Sequence, residues 1–403
     1  MAGPLSHIRV LDLSRVLAAP WAGQNLADLG AEVIKVERPK LGDDSRAFGP
    51  PWVKDAQGRD TKDSAYFTSA NRGKKSITVN IAKPEGQALV RELAAKSDVL
   101  LENYKFGDLA RYGLAYDDLK TLNPGLVYCS VTGFGHTGPY RERPGYDFMI
   151  QGMGGMMSVT GEAGGAPQRA GVPIADIITG MYASIAVCAA LASRARTGQG
   201  QHLDLALLDS QIALLCYQNT NYFATGKAPG RIGNLHPNIV PYQPFRTSDG
   251  EVIIACGNDN LFGKFCEAAG CPELARDPRF ATNGKRVENR AEITRLIQEI
   301  FLRRPSAQWL ELLEAAGVPN GPINDIAQVF AEPQVEARGV RIELAHPVAG
   351  RLPLVASPMR FSATPLEYSQ APPVLGEHTE EILKGLLGRS DAQLAALRAA
   401  GVV

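Results

Sequence analysis

The sequence has no excess of charge of either sign. Lys plus Arg and Asp plus Glu each number 42 among 403 residues, so the formal net charge is zero. A chain without an overall positive field has no general attraction for nucleic acid or for an anionic membrane. We expect neither as a partner, and any anionic ligand must meet local positive charge.

Closely spaced cysteines are also missing. The six cysteines stand far apart, and no two have the CxxC spacing of metal and redox sites. Most lie in apolar stretches, as Cys129 does after Val127 and Tyr128. This pattern predicts small buried hydrophobic residues in a protein from a reducing compartment.

Several functional signatures are absent too. The start, MAGPLSHIRVLDLS, lacks the basic and apolar regions of a secretory signal, and we expect no apolar run long enough to span a membrane. The histidines show no HxxxH pairing, and no GxSxG turn is present. We therefore expect a cytoplasmic protein with neither a metal site nor serine hydrolase chemistry.

The sequence does contain alternating strand and helix patterns. Apolar segments of strand length alternate with longer helical segments, which predicts an α/β fold whose parallel sheet is covered on both faces. The predicted strands span 8–13, 31–37, 76–81, 98–102, 126–131 and 201–207, and the predicted helices span 19–29, 84–96 and 177–194.

A chain of this length exceeds the usual size of one hydrophobic core, so we expect two domains. The sequence becomes rich in loop-forming residues near Gly226. After this stretch it predicts a hairpin with its turn at 248–250 and helices at 290–303 and 307–316. We predict a large domain over 1–225, a small α+β domain over 226–330, and a return of 331–403 to the large domain.

One motif resembles a dinucleotide-binding fingerprint. Gly133-Phe134-Gly135-His136-Thr137-Gly138 matches GxGxxG and follows a predicted strand. The fingerprint requires a helix to begin at once, so that its N-terminus meets the pyrophosphate. Pro139 and Pro144 instead bracket a charged segment, which predicts a loop.

Asp176 directly precedes an apolar, Ala-rich helical pattern. This is where an N-cap residue would lie, and capping is the simplest interpretation of the local pattern. A helix N-terminus also favours an ionised carboxylate, and its N–H groups can hold negative charge that develops on an attacked carbonyl. The two roles are compatible.

Basic residues cluster after the early strands. The carboxyl edge of an open α/β sheet is where such folds bind ligands, although a solvated charged face gives the same pattern. The residues are Arg38, Lys40, Arg72, Lys74, Lys75, Lys105 and Arg111.

A series of short segments resembles the family III CoA-transferases, the family of formyl-CoA and carnitine CoA-transferases. The segments occur in the family's order and extend over nearly the whole chain, from about Ile8 to Val403. They are Leu11-Asp12-Leu13-Ser14-Arg15, 28–37, Gly42-Asp43-Asp44-Ser45-Arg46, 71–76, Glu102-Asn103-Tyr104, 111–114, Ala175-Asp176 with Thr179-Gly180, 197–201 and 375–379.

The resemblance implies a Rossmann-like large domain made from both ends of the chain, a small domain between them, and an interlocked homodimer. It also implies that Asp176 attacks an acyl-CoA and passes through an aspartyl anhydride and an aspartyl-CoA thioester, without a metal. The residues at CoA-binding positions of the family are Arg38, Arg72, Lys75, Asn103, Tyr104 and Arg111.

Within the family, segments such as 233–237 and 321–324 are most similar to enzymes that move CoA between succinate and hydroxymethylglutarate or glutarate. This similarity implies dicarboxylic substrates, and a cation must then meet the distal carboxylate. The candidates for that cation are Arg46, Arg169 and His236. By analogy with a glycine-rich loop in relatives, Gly257 and Asn258 are candidates for a lid.

Two alternatives remain at this stage. An α-methylacyl-CoA racemase of the same family requires a second acid/base group, which racemases supply from a Gly-His-Asp segment. The matching place here is Gly145-Tyr146-Asp147, and a phenol keeps its proton at neutral pH. A CoA-binding protein without turnover is the other alternative, and it would not need Asp176.

Overall fold

The structure is a computed structural model that describes residues 3–403. Its strands are β1 (Arg9–Asp12), β2 (Glu32–Glu37), β3 (Trp52–Lys54), β4 (Asp60–Ser64), β5 (Lys74–Thr78), β6 (Val99–Glu102), β7 (Val127–Thr132), β8 (His202–Ala206), β9 (Tyr242–Arg246), β10 (Glu251–Ala255), β11 (Asn320–Gly321), β12 (Arg341–His346) and β13 (Gly350–Val355).

The helices of the same range are α1 (Ala18–Asp28), α2 (Ala65–Thr68), α3 (Pro84–Ala95), α4 (Tyr116–Leu119), α5 (Asp147–Met153), α6 (Met156–Val159), α7 (Ile174–Thr197), α8 (Leu207–Leu214), α9 (Tyr217–Thr225), α10 (Asp259–Ala268), α11 (Pro272–Arg276), α12 (Asn283–Glu288), α13 (Arg290–Phe301), α14 (Ser306–Ala315), α15 (Ile326–Ala331), α16 (Pro333–Ala337), α17 (Thr379–Gly385) and α18 (Asp391–Ala399). Short 3₁₀ helices cover Asp44–Ala47 and Ala110–Tyr112.

A six-stranded parallel sheet organises the larger part of the fold. Its strand order is β5-β2-β1-β6-β7-β8, and every neighbouring pair is parallel. The chain builds β1, β2 and β5 outward on one side and then returns to place β6, β7 and β8 on the other. The predicted parallel α/β sheet is confirmed, and its order reverses between β1 and β6.

Both faces of the sheet are buried. Side chains alternate between faces along a strand, so Val10 enters one core and Leu11 enters the other. α1 and α7 cover the first face, whereas α3, α17 and α18 cover the second. Truncating a leucine such as Leu11 to alanine in such a core typically costs about 2 to 5 kcal/mol.

The chain separates into two compact units. The first comprises the chain up to Met156, Arg169–Gly226 and Glu336–Val403, and the second comprises Met157–Gln168 and Lys227–Val335. The second unit has its own antiparallel sheet, with order β11-β10-β9, in which Glu251 pairs with Arg246 across the predicted hairpin. Its core includes the stacked rings of Phe245 and Phe301, whose centroids lie 5.0 Å apart.

α7 is a long apolar helix. Its 24 residues are long and apolar enough to cross a membrane by length and composition, so the expectation that no segment is that long is wrong for α7. The core helix of a soluble protein meets the same criterion. α7 packs on α1, where the Asn25 amide donates to the Ser184 hydroxyl, 3.1 Å away.

All six cysteines are free thiols. Cys129, Cys256, Cys266 and Cys271 are buried, as predicted from their apolar surroundings. Cys216 is exposed, so the prediction of a buried thiol is wrong there.

Candidate active site

A cavity of about 210 Å³ opens at the carboxyl edge of the parallel sheet. Residues that follow β1, β6, β7 and β8 line it, together with Asp176 from α7. It therefore lies where the strand order reverses between β1 and β6, the position at which open α/β sheets form their ligand crevice.

Close packing of two helices brings Asp176 to this cavity. A Cβ atom on Gly180 would lie 2.5 Å from the Ala18 carbonyl oxygen, so only glycine allows α7 to approach the start of α1 this closely. The approach places the first turn of α7 beside the first turn of α1, and Leu17, Ala18 and Asp176 line the same cavity.

Asp176 is not the N-cap of its helix. α7 begins at Ile174 after Pro173, three residues earlier than the sequence predicts, and Asp176 lies within the first turn. Asp147 instead accepts hydrogen bonds from the free N–H groups at the helix start. Its Oδ1 lies 2.9 Å from the Ala175 N and 3.5 Å from the Asp176 N. No hydrogen bond between residues 3 and 403 ends on the Asp176 carboxylate, whose oxygens can therefore meet a ligand.

The environment raises the pKa of Asp176 to about 7. Burial is the main cause, and the nearby negative charge of Asp147 adds to it. A carboxyl with this pKa is ionised in about half of the molecules at pH 7, and its charge is poorly solvated. Strongly shifted groups of this kind are typical of functional sites.

The turn between β1 and α1 forms another wall. Val16, which lines the cavity, has φ of 70°, a strained conformation for a β-branched residue. Asp43 accepts its N–H at 3.0 Å, while the Asn103 side chain accepts the Arg15 N–H at 2.8 Å and donates to the Arg15 carbonyl at 2.6 Å. Asp43 and Asn103 therefore hold the strained turn in place.

The pKa of Asp43 lies well below its ordinary range. Burial alone would raise it, but the Lys35 ammonium and hydrogen bonds from the Ser45 and Val16 N–H groups outweigh burial. The Lys35 Nζ lies 2.8 Å from Asp43 Oδ2, and both side chains are fully buried. The carboxylate that supports the Val16 turn is therefore ionised.

Four cations line the cavity: Arg15, Lys105, Arg141 and Arg143. Arg15 pairs with Asp44 at 3.1 Å and lies over the Tyr104 ring. Arg141 lies over the Phe106 ring, with Glu142 at 3.6 Å. The carboxylates of the cavity wall are Asp44 and Asp176, so the wall favours an anionic ligand.

The GxGxxG segment forms a loop, as predicted. It runs from the end of β7 to α5, which begins only at Asp147. A Cβ atom on Gly133 would lie 2.5 Å from the Gly145 Cα, so the two glycines allow the ends of the loop to touch. The His136 N–H also donates to Asp204 at 2.9 Å, which fixes the loop on β8.

Three of the predicted CoA-binding residues lie in or beside the cavity. Asn103 and Tyr104 line it, and the Tyr104 N–H donates to the buried Glu102 at 2.8 Å. Arg38 lines an adjoining cleft that shares Arg15 and Tyr104 with the cavity, and its guanidinium pairs with Asp44.

The other three predicted CoA-binding residues do not line it. The buried Arg72 donates to both carboxylate oxygens of Asp28, at 2.9 and 2.6 Å. Lys75 pairs with Glu32 at 3.1 Å and with Glu381 at 2.7 Å. Arg111 is exposed and pairs with Asp108.

Arg46 belongs to a buried network of ion pairs and hydrogen bonds. Its guanidinium donates to Glu37 at 2.7 and 2.8 Å, to Asp63 at 2.9 Å and to the Pro373 carbonyl at 3.0 Å. Only 5% of the side chain is exposed, and these four hydrogen bonds occupy most of its donors. These contacts explain the position of Arg46 without a ligand, and its substrate role stays a prediction from the sequence.

The remaining substrate candidates occupy other positions. Arg169 is exposed and donates to the Ala170 carbonyl at 3.1 Å. His236 belongs to the second unit, where its ring lies against Tyr242, and burial lowers its pKa. Gly257 and Asn258 precede α10, and Asn258 caps that helix by accepting the Leu261 N–H at 2.9 Å.

Comparison with known proteins identifies the family. The family model described as CoA-transferase family III matches residues 5–379. The chain belongs to this family. It is therefore an enzyme that transfers CoA.

Characterised family III enzymes resemble the chain over almost its full length. It is 50% identical to the succinate–glutarate CoA-transferase of Agrobacterium fabrum, with 95% of the chain and 96% of that protein covered. It is 44% identical to the human succinyl-CoA:glutarate CoA-transferase, with 99% and 90% covered. It is 39% identical to the acetyl-CoA:oxalate CoA-transferase of Acetobacter aceti, with 89% and 90% covered.

A solved structure shares the fold. The CaiB/BaiF family protein of Brucella suis is 52% identical and matches with a TM-score of 0.84, covering 96% of this chain and 100% of that one. The parallel α/β architecture is thus shared with a solved protein that is more than half identical to this chain.

Two residues that line the cavity, and one that holds the start of α7, were not predicted as functional from the sequence. Asp147, Arg141 and Arg143 lie in the segment between β7 and α7. The charged segment between the two prolines was a signal for the arginines, because a loop at a strand's carboxyl end commonly carries binding residues. The sequence gives no comparable signal that Asp147 caps a helix 28 residues away.

Proposed function

We propose that this enzyme transfers CoA from succinyl-CoA to glutarate or a similar dicarboxylic acid, with Asp176 as the nucleophile. The observation that carries the mechanism is the Asp176 carboxylate, which faces a cation-lined cavity without a hydrogen-bond partner among residues 3–403. The substrate class rests on the names of relatives that are 44% and 50% identical.

In the first step, the ionised Asp176 carboxylate attacks the thioester carbonyl of the acyl-CoA. The C–S bond breaks, CoA leaves as a thiolate, and an acyl–aspartyl anhydride forms. The first turn of α1 at Leu17 and Ala18 borders the same cavity, and its N–H groups favour negative charge on the attacked oxygen.

In the second step, the thiolate attacks the aspartyl carbonyl of the anhydride. The first acid leaves as a carboxylate, and an aspartyl-CoA thioester remains on Asp176. The acceptor carboxylate then attacks this thioester, which releases the thiolate and forms a second acyl–aspartyl anhydride. The thiolate attacks the acyl carbonyl of that anhydride, which gives the new acyl-CoA and frees the Asp176 carboxylate. One thioester replaces another of similar energy, so the exchange needs no ATP.

The cavity supports this chemistry in two ways. Arg38, Asn103 and Tyr104 lie at the β2 and β6 side, where they are suited to bind the CoA portion. Burial of Asp176 gives a reactive carboxylate because little solvation has to be removed before attack.

We also propose that the first compact unit is the CoA-binding domain and that two chains interlock as a homodimer. α7 and α9 carry exposed apolar side chains that such a partner would cover, among them Ile185 and Phe223. Sedimentation equilibrium then gives about twice the 43.2 kDa chain mass, and a monomeric mass would contradict the proposal.

The transfer is tested with purified enzyme, succinyl-CoA and glutarate. Glutaryl-CoA must form with the release of succinate, as read by mass spectrometry. Asp176→Ala should still bind CoA but form no glutaryl-CoA. Undiminished transfer by this variant would exclude the covalent mechanism, and no transfer by the unmodified enzyme would exclude the substrate assignment.

A further inference from the structure

We propose that Arg143 binds the distal carboxylate of the dicarboxylic substrate and makes the enzyme selective for diacids. This inference rests on the proposed function. It assigns a role to the tip of the loop between Gly133 and Gly145.

The first reason is that the charge of Arg143 is not compensated. Among residues 3–403, no carboxylate forms an ion pair with its guanidinium, although the side chain lines the Asp176 cavity. By contrast, Arg15 pairs with Asp44, and Arg141 has Glu142 at 3.6 Å. A cation in this position attracts an anion that enters the cavity.

The second reason is that two aromatic rings orient the guanidinium. The Arg143 Cζ lies 4.4 Å from the centroid of the Tyr140 ring and 5.4 Å from that of Phe134. Stacking on a ring face leaves the N–H donors in the guanidinium plane free. Those donors form the planar fork that binds a carboxylate with two hydrogen bonds.

The third reason is that the loop is fixed at its base. The backbones of Gly133 and Gly145 lie in contact because neither residue has a side chain, and the His136 N–H donates to Asp204. The Arg143 N–H also donates to the Tyr140 carbonyl at 2.9 Å, which closes a turn at the tip. A fixed loop costs less conformational entropy when it binds a small acid.

The fourth reason is the position of the loop. It follows β7, whereas Arg38 follows β2 at the other side of the switch point between β1 and β6. Lys105 is a further cation of the cavity without an ion pair in the described chain, but it directly follows Tyr104 on the β6 side. Arg143 is therefore the cation best placed for the acyl end.

The test compares glutarate with pentanoate, which has the same five-carbon chain and lacks the second carboxylate. Both acceptors are assayed with succinyl-CoA. We expect Arg143→Gln to lower kcat/KM for glutarate at least about tenfold, the scale of one charge pair, and to change that for pentanoate less than about twofold. Arg143→Lys should restore part of the preference, because it keeps the charge without the fork.

The matched control is Arg295→Gln on α13, whose partner is Glu299 at 2.6 Å; it should leave both values unchanged. Equal losses for glutarate and pentanoate at saturating succinyl-CoA would show that Arg143 does not recognise the second carboxylate and would overturn the inference. An unchanged preference would also overturn it. If the unmodified enzyme transferred no CoA at all, the proposed function would fail instead.

Discussion

Replacing Asp176 with asparagine should make the protein more stable at pH 8. The folded state holds this carboxyl with a pKa of about 7 instead of 3.8, so ionised Asp176 opposes folding. The unfolded carboxyl ionises above about pH 4 and the folded one above about pH 7. The penalty is therefore absent below about pH 4, grows between the two values and is complete above pH 7.

The size of the effect follows from the two pKa values. At pH 8 the penalty that Asp176→Asn removes is up to about 4 kcal/mol, and at pH 5 it is about 1.5 kcal/mol. For a chain of this length, we expect the Tm to rise by about 5 °C at pH 8 and by about 2 °C at pH 5. Differential scanning fluorimetry at the two pH values measures both shifts.

The matched control is Asp209, which occupies the same position in the first turn of α8 and is exposed. Asp209→Asn should lower stability slightly, by about 0.5 kcal/mol, because it removes a favourable charge from a helix N-terminus. A Tm of Asp176→Asn that is unchanged or lower at pH 8 would refute the reasoning that burial raises the pKa of Asp176.

Two further predictions concern neighbouring residues. In the unmodified enzyme, kcat/KM should fall below about pH 7 as Asp176 gains a proton. Asp147→Asn should move that decline to lower pH, because it removes a negative charge near Asp176. A pH profile with the same midpoint in both proteins would contradict this prediction. Arg46→Ala should destabilise the protein by about 3 to 5 kcal/mol because it leaves the buried Glu37 unpaired, and a urea denaturation midpoint equal to that of the unmodified protein would contradict the structural role.

The parallel sheet could be predicted because most of its strands, such as β1, β6 and β7, contain a short apolar run between helical patterns. These runs are apolar because both faces of the sheet are buried, as Val10 and Leu11 illustrate. The strand order could not be predicted in this way. The pairing of β1 with both β2 and β6 depends on contacts between distant parts of the chain.

The start of α7 shows a similar limit. The apolar pattern predicts a helix from residue 177, but the helix begins at Ile174 because Asp147, from another part of the chain, accepts the Ala175 N–H. Local sequence cannot show a cap supplied from a distance. The local pattern therefore predicts Asp176 as the cap, whereas in the structure the Asp176 carboxylate faces the cavity.

The cations show why the rest of the site could not be predicted from pattern alone. Arg46 and Arg143 are both arginines in segments that follow strands of the sheet. Arg46 is neutralised by Glu37 and Asp63 and lies on the Phe67 ring, whereas no carboxylate among the described residues pairs with Arg143. The composition of a segment does not reveal which of its charges have partners elsewhere in the chain.

The central claim is that Asp176 forms a covalent bond during transfer, and trapping tests it most directly. The enzyme is mixed with succinyl-CoA, treated with hydroxylamine, digested and analysed by mass spectrometry, with Asp176→Asn in parallel. We expect a hydroxamate on the peptide that contains Asp176 and none in the variant. Modification of another residue, or no modification while glutaryl-CoA forms, would contradict it.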